Sequence, residues 1–197
     1  MKENSEITKQ ALDSLSGRWG LAIGTYLVYA IIIGAVGQIP DVGGVASLIL
    51  GGPMGVGLAM FTLKLARNQE DARLEQIFDG FKEQFATRLG AYLLMVLYVF
   101  LWTLLLIIPG IIAAIAYSQV LYILAEDNEI GAEAALKKSK AMMDGYKMKY
   151  FTLSLRFLAW ALLCILTLGI GFLWLMPYAY VSYANFYDDI KEQFEAQ

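Results

Sequence analysis

Histidine is absent from this 197-residue chain, and cysteine occurs only once, as Cys164. A single cysteine forms no intrachain disulfide, and metal sites need histidines, several cysteines or clustered carboxylates. Acid–base catalysis near neutral pH most often uses histidine, and the long apolar runs contain no aspartate or glutamate that would replace it. The sequence therefore predicts no metal, no cofactor and no enzymatic activity.

Charged residues are also scarce, at 17% of the chain, whereas 58% of the residues are hydrophobic and the mean hydropathy is +0.55. A soluble domain carries about 25% charged residues. A soluble helical bundle with an unusually apolar core is the alternative, but uncharged runs as long as a membrane span argue against it. The composition predicts an integral membrane protein.

The longest uncharged run holds thirty-seven residues, 89–125. One helix of that length would extend about 55 Å, whereas the hydrocarbon core of a bilayer is about 30 Å thick and needs roughly 20 residues. Pro109 is tolerated in the first turn of a helix, and Gly110 accepts turn geometry without a Cβ clash. We therefore expect two spans, residues 89–108 and 110–125, joined by a hairpin at this Pro-Gly pair.

Two other regions have the same two-span form. Residues 19–63 are interrupted only by Asp41, and residues 157–187 are interrupted by T-L-G-I-G at 167–171. Residues 1–18 are polar and mixed in charge, unlike a cleaved signal sequence, so we expect the first span to be retained. The predicted fold is an all-α integral membrane bundle of six transmembrane helices in three hairpin repeats, with short amphipathic cytoplasmic helices, in a single domain, 1–197.

All fifteen Lys and Arg residues fall on one side of the predicted spans, and Asp41 is the only charge at the hairpin tips. The positive-inside rule then predicts that both termini and both long loops are cytoplasmic. Acids and bases are mixed on that face, and the net charge is −3. This distribution does not favour a nucleic-acid partner.

Three cytoplasmic segments resemble one another and predict an internal repeat. Gly17, Gly80 and Gly145 stand in S-G-R-W, D-G-F-K and D-G-Y-K, 63 and 65 residues apart. Each follows a short amphipathic segment and precedes a hairpin that contains proline, at Pro53, Pro109 or Pro177. Units that all start on the same side are related by an axis along the membrane normal. The predicted repeats are residues 5–66, 72–126 and 133–190; hairpins that are alike without a common repeat are the alternative.

The amphipathic segments supply candidate lipid contacts. Their lysines would meet anionic headgroups if the segments lay in the interface, but we favour packing under the bundle, because the basic clusters are short and diluted by acids. The candidate lipid-contact residues are Lys137, Lys138, Lys140 and Arg156. Arg156 lies in the fifth predicted span, and we expect its long side chain to snorkel to the cytoplasmic interface rather than form a buried ion pair.

The spans contain only a few polar or small residues that are candidates for specific contacts between helices. The candidate polar contacts within the bundle are Ser118, Gln119 and Asn185, which would hydrogen-bond between helices or line a cavity. Two G-x-x-x-G pairs predict close helix approach, Gly20/Gly24 and Gly51/Gly55.

The second half of the chain resembles a known bacterial family. The segments that carry the resemblance are I-P-G-I-I-A-A-I-A-Y-S-Q-V-L-Y-I-L-A-E-D-N (108–128), A-L-K-K-S-K-A-M-M-D-G-Y-K-M-K-Y-F (135–151), L-T-L-G-I-G-F-L-W-L-M-P-Y (166–178) and A-N-F-Y (184–187). They are similar to the domain of unknown function 975 family of bacterial polytopic membrane proteins. The resemblance covers about residues 78–187. It implies the bacterial cytoplasmic membrane and brings no established activity.

Two functions are consistent with these observations. The first is a non-enzymatic scaffold, accessory or envelope-homeostasis factor, whose cytoplasmic face contacts anionic lipids of the bilayer or a membrane protein partner. The alternative is a small permease or lipid-handling transporter with a passage between the repeats. Pro53, Pro109 and Pro177 favour this alternative slightly, because broken helices expose backbone groups that bind substrates. A continuous cavity between the hairpins would distinguish the second function from the first.

Overall fold

The computed structural model describes residues 1–196, and every regular element within them is helical. The α-helices are α1 (Asn4–Leu15), α2 (Trp19–Gly37), α3 (Gly43–Ala66), α4 (Phe85–Leu105), α5 (Ile107–Ala116), α6 (Val120–Glu126), α7 (Ala132–Met142), α8 (Lys147–Leu166) and α9 (Phe172–Glu195). A 3₁₀ helix, Leu74–Phe81, lies between α3 and α4. The predicted all-α class is confirmed.

Five helical segments are long and apolar enough to cross a membrane: Trp19–Gly37, Gly43–Ala66, Phe85–Leu105, Ile107–Glu126 and Lys147–Leu166. The sixth predicted span corresponds to α9, which is not among these five. Its tyrosines, Asn185 and the aspartates that follow lower its hydropathy. This helix packs against α1, α2, α3 and α8, so most of its surface is covered by protein. A helix in that position needs fewer apolar side chains than one that faces lipid.

The second hairpin turns earlier than predicted. Only Leu106 separates α4 from α5, with an extended backbone (φ −160°, ψ 148°). Pro109 is the third residue of α5, where its missing N–H costs no helical hydrogen bond. Gly110 does not form the turn. A Cβ on it would lie 2.2 Å from Thr103 Oγ1, so this glycine allows α5 to pack closely against α4.

The fourth predicted span is interrupted, which the sequence did not indicate. Residues 117–119 form a turn between α5 and α6, without a proline or glycine. Ser139 of α7 bonds to both sides of the break. Its Oγ donates to the carbonyl of Ala116 at 2.8 Å and accepts from the N–H of Gln119 at 3.3 Å. A side chain from another helix thus replaces the helical hydrogen bonds that are lost at the break.

Each hairpin combines an outer helix with an inner one. The inner helices α3, α6 and α9 contact one another, whereas few residues of α2, α4 and α8 are fully buried. The short helices follow a cyclic order, in which α1 packs on α9, the 3₁₀ helix packs on α3 and α7 packs on α6. Two outer helices follow the same order, with α2 on α9 and α4 on α3, whereas α8 packs on α5, the helix that precedes α6 in the same predicted span.

Candidate functional site

A cavity of about 200 Å³ lies between the three hairpins. Five tyrosines from α2, α6, α8 and α9 line it: Tyr29, Tyr122, Tyr150, Tyr180 and Tyr183. Leu58 of α3 and Leu121 of α6 contribute apolar surface to the same wall. We call this cavity the tyrosine chamber. All three hairpins contribute to it, so it exists only when they are packed together.

The hydroxyl groups of the tyrosines are the main polar groups of the chamber. Tyr122 Oη donates to the carbonyl of Tyr180, and Tyr183 Oη donates to Ser154 Oγ, each at 3.4 Å. These distances are long for O–H···O bonds, which cluster near 2.7–2.8 Å. A phenol both donates and accepts. The chamber therefore offers weakly engaged, uncharged groups to a polar ligand.

A more open groove of about 430 Å³ adjoins the chamber. Ser118, Leu121 and Tyr150 line both spaces, so the two adjoin at these residues. The rest of the groove is apolar and is lined by Met95, Val96, Val99, Phe100 and Ala114. We call it the lateral groove, because it lies between the α4–α5 hairpin and α8 and reaches the exposed side chain of Phe100. It opens at the exposed apolar surface of α4.

The break between α5 and α6 places Ser118 where the chamber meets the lateral groove. Ser118 Oγ donates to the carbonyl of Ile115 at 2.8 Å and accepts from Gln119 Nε2 at 2.7 Å. These side-chain bonds are local, whereas the backbone N–H of Gln119 bonds to α7. Ser118 also lines both spaces. Gln119 is fully buried, and within residues 1–196 its Oε1 has no partner. Leaving such an acceptor unpaired costs about 1–3 kcal/mol.

A charged cluster joins the three inner helices near their C-terminal ends. Glu126, at the end of α6, accepts hydrogen bonds from Tyr187 Oη at 2.6 Å, Lys191 Nζ at 2.8 Å and Arg67 Nη2 at 2.5 Å. Arg67, at the end of α3, also bonds to Asp188 of α9 at 2.6 Å. The hydrogen bond to Asp188, and to a smaller extent the one to Glu126, raises the pKa of Arg67, so the guanidinium stays protonated. The sequence did not indicate this cluster, because Arg67 and Asp188 are 121 residues apart in the chain.

Comparison with known proteins covers nearly the whole chain. A family model described as a protein of unknown function, DUF975, matches residues 1–114 and 103–194. The chain belongs to the DUF975 family. The resemblance noted in the second half is confirmed, and the match extends to the first hairpin, which the quoted segments do not include. No curated protein and no solved structure matches the chain.

The predicted lipid-contact lysines of this DUF975 protein lie in different surroundings. Lys137 pairs with Glu133 at 2.9 Å, and this hydrogen bond raises the pKa of Lys137 and lowers that of Glu133. Lys138 is half-buried. Lys140 is exposed and borders a separate groove, which α4, α5 and α8 also line. The three lysines therefore differ in pairing and in exposure.

Arg156 is exposed on α8, and its Nη1 donates to Thr8 Oγ1 of the short helix α1 at 3.2 Å. Among the ion pairs of residues 1–196, none includes Arg156. Its side chain thus links α8 to α1. Asn185 also contacts α1, because its Nδ2 donates to the carbonyl of Ile7 at 3.5 Å. This predicted polar contact therefore lies between α9 and a short helix.

One of the two G-x-x-x-G pairs permits close helix approach. A Cβ on Gly51 would lie 2.9 Å from Tyr92 Oη of α4, and one on Gly55 would lie 3.0 Å from Leu121 of α6. Around Gly20 and Gly24, no such atom within the described chain comes within 4 Å. The prediction is confirmed for Gly51 and Gly55 and wrong for the first pair.

Proposed function

We propose that this DUF975 protein is a non-enzymatic, lipid-handling protein of the bacterial cytoplasmic membrane. In this proposal an amphipathic bilayer molecule enters through the lateral groove and places its polar part in the tyrosine chamber. The observation that carries the proposal is that the two spaces adjoin and share Ser118, Leu121 and Tyr150 in their walls. The groove is apolar, as an acyl chain requires, and the chamber supplies hydroxyl groups.

The size of the chamber favours a lipid over a small enclosed solute. Pockets for drug-sized ligands measure about 300–1,000 Å³. The chamber, at about 200 Å³, is smaller and holds only part of such a molecule. A lipid meets this limit, because its polar part fills the chamber while its chains stay in the groove and the bilayer. The unpaired Oε1 of Gln119 beside this junction is consistent with a functional site, where buried unsatisfied groups are found.

The proposal includes six spans, with α9 as the sixth, and both termini in the cytoplasm. The one-sided distribution of Lys and Arg supports this topology. The continuous helix α9 also supports it, because its 24 residues extend about 36 Å at 1.5 Å per residue. Since α9 contributes Tyr180 and Tyr183 to the chamber, it lies as deep in the bundle as the inner helices α3 and α6.

The proposal also retains the three repeats, related by an axis along the membrane normal. The cyclic packing order of the short helices, which two of the outer helices share, supports them. Each hairpin also has a glycine that packs its second helix against its first. A Cβ on Gly43 would lie 2.7 Å from the Gly37 carbonyl oxygen, one on Gly110 2.2 Å from Thr103 Oγ1, and one on Gly171 2.7 Å from Cys164 Sγ.

Of the glycines that mark the three predicted repeats, only those of the first and third units share a backbone conformation. Gly17 and Gly145 follow a short helix with φ of +75° and +78°. Gly80 instead packs against the backbone of Pro53, and the left-handed residue of the second unit is Gln84, with φ of 51°. The second unit thus differs from the other two where the 3₁₀ helix replaces an α-helix.

A scaffold or accessory role is the second candidate, and one observation favours it. Phe78 of the 3₁₀ helix and Phe85 of α4 are exposed, and Phe85 stacks on Phe81 with ring centroids 6.1 Å apart. Exposed aromatic side chains are enriched where proteins bind other proteins. A partner bound here would contact the cytoplasmic side of the second hairpin and leave the lateral groove free.

The proposed function is tested by photolabelling in nanodiscs that contain a phospholipid with a diazirine close to its headgroup. We expect labelled peptides that include Ser118 and Tyr150. The variant Ala114→Trp fills the lateral groove and should lower this labelling. Ala159→Trp makes the same change at an exposed position of α8 that borders neither space, and should not. Equal labelling in the two variants, or label spread evenly over the exposed apolar surface, would contradict lipid entry and favour the scaffold.

A further inference from the structure

A different face of α5 borders a second groove, of about 310 Å³. Pro109, Ile112, Ala113 and Ala116 recur at helical spacing and form one wall, together with Trp102 of α4. The opposite wall carries Lys140, near the end of α7, and Lys147, the first residue of α8. We call this space the lysine groove. It shares no lining residue with the lateral groove or the tyrosine chamber.

The lysine groove carries positive charge that nearby acids do not neutralise. In the described part of the chain, no aspartate or glutamate lines it. Lys147 has one ion pair, with Asp144 at 3.6 Å, and the Asp144 side chain is 84% exposed. An exposed pair of this kind is weak. Among the ion pairs of residues 1–196, Lys140 takes part in none.

We infer that the lysine groove binds an anionic glycerophospholipid, with its phosphate between Lys140 and Lys147 and an acyl chain along Trp102 and Ile112. The two ammonium groups attract a phosphate, and basic pockets between membrane helices on the cytoplasmic side bind anionic headgroups. Trp102 and Ile112 are 47% and 49% exposed. A free phosphate would leave this apolar wall uncovered, whereas a lipid covers it. A zwitterionic lipid brings its own ammonium group towards the two lysines and is disfavoured.

This inference does not rest on the lateral groove, because the two sites lie on different faces of α5. The inference also assigns a lipid contact to only one of the three lysines of α7, Lys140. Lys137 and Lys138 do not border the lysine groove, and Lys137 is already paired with Glu133. Lys147, which the sequence pattern did not single out, is the second phosphate contact.

The test is native mass spectrometry of the full chain from mild detergent, with added dioleoyl phosphatidylglycerol or dioleoyl phosphatidylcholine. The acyl chains are identical, so only the headgroup differs. We expect the wild-type protein to retain one phosphatidylglycerol at least tenfold more strongly, a difference of about 1.4 kcal/mol. The double variant Lys140→Gln/Lys147→Gln should lose this preference. Lys137→Gln/Lys138→Gln removes the same charge from α7 and should keep it.

Three results overturn the inference. The first is equal retention of the two lipids by the wild-type protein, a comparison that does not depend on the folding of any variant. The second is equal loss of preference in both double variants, which would indicate attraction by overall charge. The third is loss of the preference in Lys140→Arg/Lys147→Arg, which keeps both charges and therefore should retain phosphatidylglycerol.

Discussion

Tyr187 of α9 donates a 2.6 Å hydrogen bond to Glu126 of α6. The ring of Tyr187 stacks on that of Tyr122, which is also in α6, with centroids 5.4 Å apart. Tyr122 lines the tyrosine chamber, and Glu126 belongs to the charged cluster near the C-terminal ends of the inner helices. One side chain of α9 therefore contacts both features. A displacement of α9 along α6 would change the chamber and the cluster together.

The first prediction concerns the charged cluster. Glu126→Gln removes the carboxylate and leaves Arg67 and Lys191 without one of their acceptors. Hydrogen bonds to charged groups contribute about 1.5–3 kcal/mol, so we expect a loss of that size in the free energy of unfolding. Denaturant titration in detergent measures it. The matched control is Glu133→Gln on α7, whose pair with Lys137 is fully exposed and should contribute little. Equal loss in both variants would show that the cluster does not hold the inner helices together.

The second prediction concerns the reason why Gly17, Gly80 and Gly145 do not tolerate a side chain. A Cβ on Gly80 would lie 1.8 Å from the carbonyl oxygen of Pro53, so Gly80→Ala forces the 3₁₀ helix away from α3. Overpacking costs about 1–3 kcal/mol, and we expect a loss at the upper end of that range or beyond it. Gly17→Ala and Gly145→Ala meet no neighbouring atom within 4 Å but keep a left-handed φ, which costs about 1–2 kcal/mol. The free energy of unfolding of the three variants distinguishes the two causes.

Gly20→Ala is the control for this series. It lies in α2 with no described atom within 4 Å of the added Cβ, and alanine is favoured over glycine in a helix by about 0.8–1 kcal/mol. We expect Gly20→Ala to be neutral or stabilising. A loss at Gly80 no larger than the loss at Gly17 would contradict the close packing of the 3₁₀ helix on α3.

The third prediction concerns the break between α5 and α6. Ser139→Ala removes the hydroxyl that bonds to the Ala116 carbonyl and the Gln119 N–H, and leaves both backbone groups buried. We expect the free energy of unfolding to fall by about 1–3 kcal/mol and amide hydrogen exchange at residues 117–120 to accelerate. Thr152→Ala is the control, because its exposed hydroxyl bonds only within α8. Unchanged exchange at the turn in Ser139→Ala would show that Ser139 does not maintain the break.

The fourth prediction concerns topology. With Cys164 replaced by serine, single cysteines at the exposed positions Asp41, Leu106 and Leu168 should react with a membrane-impermeant maleimide added to intact cells. The structure guides this choice, because Gly43 and Gly110 are buried at the tips and a side chain there would clash.

Cysteines at Lys82 and Lys137, whose side chains are 70% and 76% exposed, should react only after the membrane is permeabilised. The reverse pattern would invert the proposed orientation. Reaction of Leu168→Cys only after permeabilisation, with the other tips accessible, would show that α8 and α9 do not form a complete third hairpin.

Local properties of the sequence determined the helical class and the approximate position of each apolar helix, because hydropathy and charge are properties of consecutive residues. They also predicted that Gly51 and Gly55 bring helices close together. They failed at Pro109 and Gly110, where a pattern typical of a turn serves instead to pack α5 against α4. Without the neighbouring helix, a glycine needed for turning and one needed for close approach look the same.

Only the tertiary structure decided the features on which function depends. The break at residues 117–119 is stabilised by Ser139, which lies 20 residues further along the chain than Gln119. The wall of the tyrosine chamber includes residues as far apart in sequence as Tyr29 and Tyr183. The charged cluster joins Arg67 to Glu126 and Asp188. The physical reason is the same in each case: side chains far apart in sequence meet only through the rotational register of packed helices. That register depends on the shape of all the contacting surfaces together, whereas the apolar runs depend only on their own residues.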